Sequence, residues 1–90
     1  MTRAELIISG LVQGVFYRAS ARQEGLRLGL VGEVRNLPGG DVSAIVEGRQ
    51  EQIEQFIAWC RRGPEGARVD DVRVRWEPAR GGFVSFRITR

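Results

Sequence analysis

The chain has 90 residues, of which 42% are hydrophobic and 28% charged, and its formal net charge is +3. That length supports one domain with one modest core, and no apolar run comes near the roughly 20 residues a membrane-spanning helix requires. All 14 basic residues are arginine, histidine is absent and Cys60 is the single cysteine, which removes histidine metal sites, Ser-His-Asp triads and an intrachain disulfide.

Met1 to Glu5 carry none of the apolar character of a secretion signal, and a cytoplasmic location is expected. Ala4, Leu6 and Ile8 alternate with Glu5, Ile7 and Ser9, the period of a strand with one buried face. Ser9-Gly10-Leu11-Val12-Gln13-Gly14-Val15-Phe16-Tyr17-Arg18 follows. It leads into a helix expected over Ala19 to Leu28, where Ser20 and Gln23 are spaced as a capping box that competes with a start nearer Arg18, and where Gly29 is the terminating glycine. A glycine-bearing loop between a strand end and a helix start can turn successive backbone N–H groups toward one point, where the helix dipole also favours an anion. Arg18 adds a planar fork that can hold two phosphate oxygens. No Gly-Lys-Ser/Thr follows, so this is not a Walker A loop. The same spacing also fits a tight turn with a solvated arginine.

Val31 to Leu37 reads as a second strand with Gly32, Val34 and Asn36 on one face, and Leu37-Pro38-Gly39-Gly40 as a type II turn. Val42, Ala44 and Val46 alternate in a third strand, which completes a hairpin. Gln50 to Arg62 is the clearest helix: Ile53, Phe56, Ile57 and Cys60 form one apolar stripe, Trp59 flanks it, and Gly63-Pro64 stops it. Val72, Val74 and Trp76 share one face of a fourth strand, Pro78 to Gly82 turns the chain, and Val84, Phe86 and Ile88 alternate in a fifth. The order β-α-β-β-α-β plus one C-terminal strand is the α+β, ferredoxin-like sandwich: an antiparallel sheet with two helices on one face. No linker interrupts it, so residues 1–90 are expected to be a single domain.

Gly10 to Arg18, written Gly-Leu-Val-Gln-Gly-Val-Phe-Tyr-Arg, resembles the signature loop of the acylphosphatase family. A second stretch, Gly32-Glu33-Val34-Arg35-Asn36-Leu37-Pro38-Gly39-Gly40-Asp41-Val42 followed by Gly48, is similar to that family's second signature. Cys60-Arg61-Arg62-Gly63-Pro64, with Ala67, Val69 and Val72 after it, resembles the end of its second helix and the strand beyond. Three features depart from the family's usual pattern: Glu33 where an aromatic residue is usual, Tyr17 where Phe is usual, and the non-aromatic ending Ile88-Thr89-Arg90. They bear on substrate preference.

The resemblance implies hydrolysis of the carboxyl-phosphate bond of acyl phosphates to carboxylate and inorganic phosphate, without metal or cofactor. It implies that Arg18 binds the phosphate, that the backbone amides of Gln13, Gly14, Val15, Phe16, Tyr17 and Arg18 cradle it, and that Asn36 positions the attacking water. Elementary chemistry agrees, because phosphoryl transfer needs positioning and charge stabilisation more than covalent help. A side-chain amide can aim a water without acting as a base. Read alone, Asn36 also fits a residue that opens a hairpin turn, Gln13 a residue that supports the shape of its loop, and Asp70-Asp71 a solvated strand start. The expected partners are a small acyl phosphate and inorganic phosphate, the latter as product and competitive inhibitor. Neither membrane nor nucleic acid is expected as a partner, and the chain is expected to be monomeric.

Two other readings belong to different classes. RNA-recognition modules share the β-α-β-β-α-β order, and Arg80-Gly81-Gly82-Phe83-Val84-Ser85-Phe86 resembles their aromatic octamer with one residue missing. That motif belongs on the third strand, and this segment lies on the last. The arginines are also scattered rather than clustered. A noncatalytic phosphate-binding domain would keep the loop, but it would have no need of Asn36.

Overall fold

The computed structural model describes residues 1–90. Seven elements follow in order: β1 (Thr2–Leu11), α1 (Tyr17–Arg27), β2 (Val31–Asn36), β3 (Val42–Gly48), α2 (Gln50–Arg62), β4 (Arg68–Pro78) and β5 (Phe86–Thr89). They build one five-stranded sheet in the order β4-β1-β3-β2-β5. The two helices lie on one face, as the α+β, ferredoxin-like reading requires.

Period-2 alternation sets which side chains face the helices. Ala4, Leu6 and Ile8 from β1, Val34 from β2, Val42, Ala44 and Val46 from β3 and Val72 from β4 are all buried there. They meet Ile53, Phe56, Ile57 and Cys60, the predicted apolar stripe of α2. The hairpin forms with Asn36 opposite Val42. Its turn is the predicted one: the Gly40 amide bonds to the Leu37 carbonyl at 3.4 Å, and Gly39 takes φ 94°, the positive value type II requires at that position. At the end of α1 the Gly29 and Leu30 amides bond to the Leu26 and Gly25 carbonyls at 3.1 and 2.9 Å, the paired bonds of a Schellman stop.

Three details differ from expectation. First, α1 starts at Tyr17, so Ser20 lies inside the helix and no capping box forms; the cap position is Phe16, without a side-chain cap bond. Second, β5 runs parallel to β2 while every other pair is antiparallel. The cause is the connection after β4. It crosses the sheet at the end where β1 begins and β3 stops, so β5 starts beside the start of β2 and must run the same way. Third, β5 begins only at Phe86, because its ladder opens opposite Gly32. Val84 would lie beyond the start of β2, and it is 94% exposed. Phe86 itself is fully buried, 5.8 Å from Phe56 between ring centroids. A Cβ on Gly25 would stand 2.3 Å from the Phe86 ring, so the glycine lets α1 settle onto β5.

Candidate active site

The site lies at the end of the sheet where β1 and β2 stop and β3 and β4 begin. After Leu11 the chain turns sharply into α1. Gly14 takes φ 78° and Phe16 φ 61°. Phe16 is the single non-glycine residue with positive φ, and a bulky side chain in that region marks strain held by its surroundings. With Phe16 at the cap, the first helix amide to find a backbone acceptor is that of Ser20, which bonds to the Phe16 carbonyl at 3.1 Å. The amides of residues 13 to 18 have no acceptor within the protein. These free donors run from the loop through the cap into the first turn of the 11-residue helix, a position where backbone N–H groups favour an anion.

The loop is pinned from the side by Gln13. Its Nε2 donates to the Leu37 carbonyl at 2.9 Å and to the Asp41 carbonyl at 2.8 Å. The Asp41 carbonyl also accepts the Leu37 amide at 2.8 Å. Gln13 thus fastens the cradle to the two ends of the hairpin turn, beside Asn36. The polarity of Gln13 in an otherwise apolar stretch hinted at a supporting role, but its partners lie 24 and 28 residues away and could not be read from spacing.

Arg18 and Asn36 line one cavity of about 290 Å³ together with Gly14, Phe16, Ala19 and Ile88. The Arg18 guanidinium forms no ion pair and no hydrogen bond with the protein. Asn36 Oδ1 is buried without a hydrogen-bond partner, which is costly unless a ligand or water supplies one. No carboxylate lines the cavity. The sequence places Ile88 in the alternation of the last strand and in the non-aromatic C-terminal ending, neither of which points to a cavity. Because β5 is the sheet edge, no helix covers it fully, and it forms a rim of the cavity instead.

The other reactive groups nearby are committed to structure. The Tyr17 hydroxyl donates to the Cys60 carbonyl at 2.8 Å, one of the last carbonyls of α2 with no partner inside its own helix. Burial, reinforced by the neighbouring Cys60, raises the Tyr17 phenol far above its ordinary range. Burial likewise pushes the Cys60 thiol up to about 12, so no thiolate nucleophile is available at neutral pH. No group of three Cys, Asp or Glu side chains stands close enough together to hold a metal ion.

A free guanidinium, a row of free amides and an unsatisfied carboxamide oxygen around one cavity suit a phosphoryl group and a water. The family model for acylphosphatase matches residues 4–88. The chain belongs to the acylphosphatase family. It is 55% identical to an acylphosphatase of Aeropyrum pernix over 89 residues, which covers 98% of this chain and 88% of that protein. It is 47% identical to the acylphosphatase of Methylococcus capsulatus, over 100% of this chain and 98% of that one. The crystal structure of the acylphosphatase from Bacillus subtilis superposes with a TM-score of 0.97 over the whole of both chains, at 28% identity. The acylphosphatase assignment makes this chain an enzyme, one that hydrolyses acyl phosphates.

Proposed function

We propose that the enzyme works by in-line attack of one water on a phosphate held by Arg18 and the loop amides, with Asn36 aiming the water. The observation that carries this reading is the coincidence of unused polar groups: the Arg18 guanidinium, the amides of Gln13 to Arg18 and Asn36 Oδ1 all lack protein partners, and Arg18 and Asn36 line the same cavity. The guanidinium and amides meet the equatorial oxygens as charge redistributes in the transition state. Asn36 Oδ1 accepts a hydrogen bond from the water, whose proton stays on the water oxygen, and so fixes that oxygen in line. The water oxygen bonds to phosphorus, the bond from phosphorus to the acyl oxygen breaks, and the carboxylate leaves with the electron pair. The water's second proton passes to solvent or to the product phosphate. A loose, metaphosphate-like transition state asks little of a base, and the cavity holds none.

The same groups hold the product, so inorganic phosphate is a competitive inhibitor. No step of this reading uses a metal: Arg18 and the loop amides carry the charge stabilisation. Residues 1–90 act as a single monomeric domain in the cytoplasm. The nucleic-acid reading loses its basis. Phe86 is in the core, and Phe83 lies beneath Arg3, 5.2 Å from guanidinium to ring centroid.

The leaving group supplies the test. A carboxylate has a conjugate acid near pKa 4, whereas a phenol lies near 10 and benefits from an acid the site lacks, as in Asp and Tyr side chains. With chelator present, benzoyl phosphate should be hydrolysed with a kcat/KM at least about 1000-fold above that for phenyl phosphate. Comparable values, or activity restored only by added divalent metal, would show a different site chemistry.

A further inference from the structure

Besides Arg18, Asn36 and Gly14, the residues that line the cavity are Val12, Phe16, Tyr17, Ala19 and Ile88, all apolar or aromatic. Phe16 is 82% exposed and Ile88 43% exposed, so two large apolar side chains stand open at the rim of one cavity. Phe16 is also held at a positive φ that its side chain disfavours. A residue kept in a strained conformation with its ring in water gives the fold little, and such features mark sites where the strain serves a ligand.

Their placement is specific. Phe16 both lines the cavity and carries one of the free amides. Ile88 pairs with Val34 across β2 and β5, and Asn36 is the next β2 residue on that face. No hydrogen-bonding or charged side chain other than those of Arg18 and Asn36 lines the cavity between them, apart from the Tyr17 hydroxyl already committed to α2. A volume of about 290 Å³ leaves room beside a phosphate for a ring.

We infer that Phe16 and Ile88 form the acyl-binding wall and select acyl phosphates with apolar, above all aryl, acyl groups. The inference rests on the phosphate and water placement given under Proposed function. Polar or charged acyl groups would lose water at this wall without gaining a partner, whereas an aryl group stacks on Phe16 and covers Ile88.

The test compares kcat/KM for benzoyl phosphate with that for acetyl phosphate in wild type, Phe16→Ala and Ile88→Ala. Inhibition by inorganic phosphate is measured beside it to read the cradle separately. Wild type should prefer benzoyl phosphate, and each variant should lower the benzoyl-to-acetyl ratio by roughly two- to tenfold, the size of one aromatic or apolar contact. The change should fall mainly on KM for benzoyl phosphate. Ile88 contributes no amide to the cradle, so Ile88→Ala answers the question even if Phe16→Ala disturbs the loop. An unchanged ratio in Ile88→Ala with phosphate inhibition intact would overturn the wall and leave the catalytic reading standing. A wild-type enzyme that hydrolyses neither acyl phosphate would overturn the catalytic reading, and the wall with it.

Discussion

The two ends of the sheet use the same three components in opposite ways. At the end away from the cavity, Arg3 Nε donates to Glu47 Oε2 at 2.7 Å, and the amides of Arg80 and Gly81 donate to the same carboxylate at 2.8 and 3.2 Å. A guanidinium and two backbone amides hold an anion, and the protein itself provides the anion. At the cavity end, Arg18 and the amides of residues 13 to 18 make an equivalent set of donors, and no carboxylate faces them. The first arrangement is complete and structural. The second has its donors unused, and the proposed reading has an anion from outside complete it, which is what would distinguish a binding site from a buried ion pair built of the same parts.

The comparison breaks most sharply at Arg18. Arg18→Ala should lower kcat/KM for an acyl phosphate on the order of 1000-fold or more and abolish inhibition by phosphate. Arg18→Lys should restore little, because an ammonium cannot reproduce the two-pronged fork. Steady-state kinetics with phosphate as competitor measures both effects, and unchanged phosphate affinity in Arg18→Ala would remove Arg18 from the site. Asn36→Ala comes next. It leaves the cradle intact, so phosphate inhibition should persist while kcat falls roughly 100- to 1000-fold. Circular dichroism must accompany it, because Asn36 also closes the β2–β3 pairing opposite Val42. A kcat within a few-fold of wild type would reduce Asn36 to a turn residue.

At the opposite end the same kind of substitution should cost stability and spare chemistry. Arg3 and Glu47 are nearly buried, with side chains 10% and 5% exposed. Removing one partner leaves the other charge short of its donors, and Arg3→Ala should destabilise the fold by about 3 kcal/mol. The pair also predicts a pH dependence. Burial alone would raise the Glu47 carboxyl, but the Arg80 amide, the Arg3 guanidinium and the Gly81 amide together hold it below the ordinary carboxylate range. A folded-state pKa below the unfolded one means that the unfolded chain binds the proton more readily. The stabilisation is therefore fully present above the ordinary carboxylate pKa of about 4.3 and is lost as pH falls through the folded value. Denaturant melts of wild type and Glu47→Gln should differ clearly at neutral pH and converge as pH drops below about 4. A constant difference would mean that Glu47 does not carry the charge.

Most of the fold was legible because its signals are local. The apolar stripe of α2, the alternation in β1 to β4 and the Pro-Gly turn each follow from residue order, and each reappears in the structure. Of the two starts the residues offer for α1, the one near Arg18 forms and the Ser20–Gln23 capping box does not, because Phe16 in the left-handed region begins the helix by a backbone route that no capping rule anticipates. The length and direction of β5 depended on where the chain crosses the sheet, which is set by Glu47 holding Arg80 and Gly81 from 33 and 34 residues away. Of the site, Arg18 and Asn36 were legible through two signature motifs, while the cavity that joins them and its rim at Ile88 were not. Tyr17, a departure from the family's usual Phe, proves to be a substitution with its hydroxyl fully used: it bonds the Cys60 carbonyl and its ring meets Trp59 at 5.3 Å.

The smallest effect should come from Gln13, and it sharpens the comparison most finely. In the structural cluster, Glu47 both provides the charge and fixes the geometry. In the cavity these tasks are divided. Arg18 and the amides provide charge, and the side chain of Gln13 sets the spacing between cradle and hairpin through its bonds to the Leu37 and Asp41 carbonyls. Those carbonyls border the turn that follows Asn36, so the Gln13 amide relates the proposed phosphate position to the proposed water position. Gln13→Ala removes two hydrogen bonds of about 1 kcal/mol each and touches no group proposed to contact substrate through its side chain. Phosphate inhibition should therefore change by no more than a few-fold, because the amides and Arg18 remain. The in-line alignment should suffer, and kcat should fall roughly tenfold. Gln13→Glu should behave like the alanine variant or worse, since a carboxylate cannot donate to two carbonyls and would place a negative charge beside the cradle. Equal losses in kcat and in phosphate affinity would show that Gln13 merely keeps the loop folded. A loss confined to kcat would show that the site depends on the distance between its two halves.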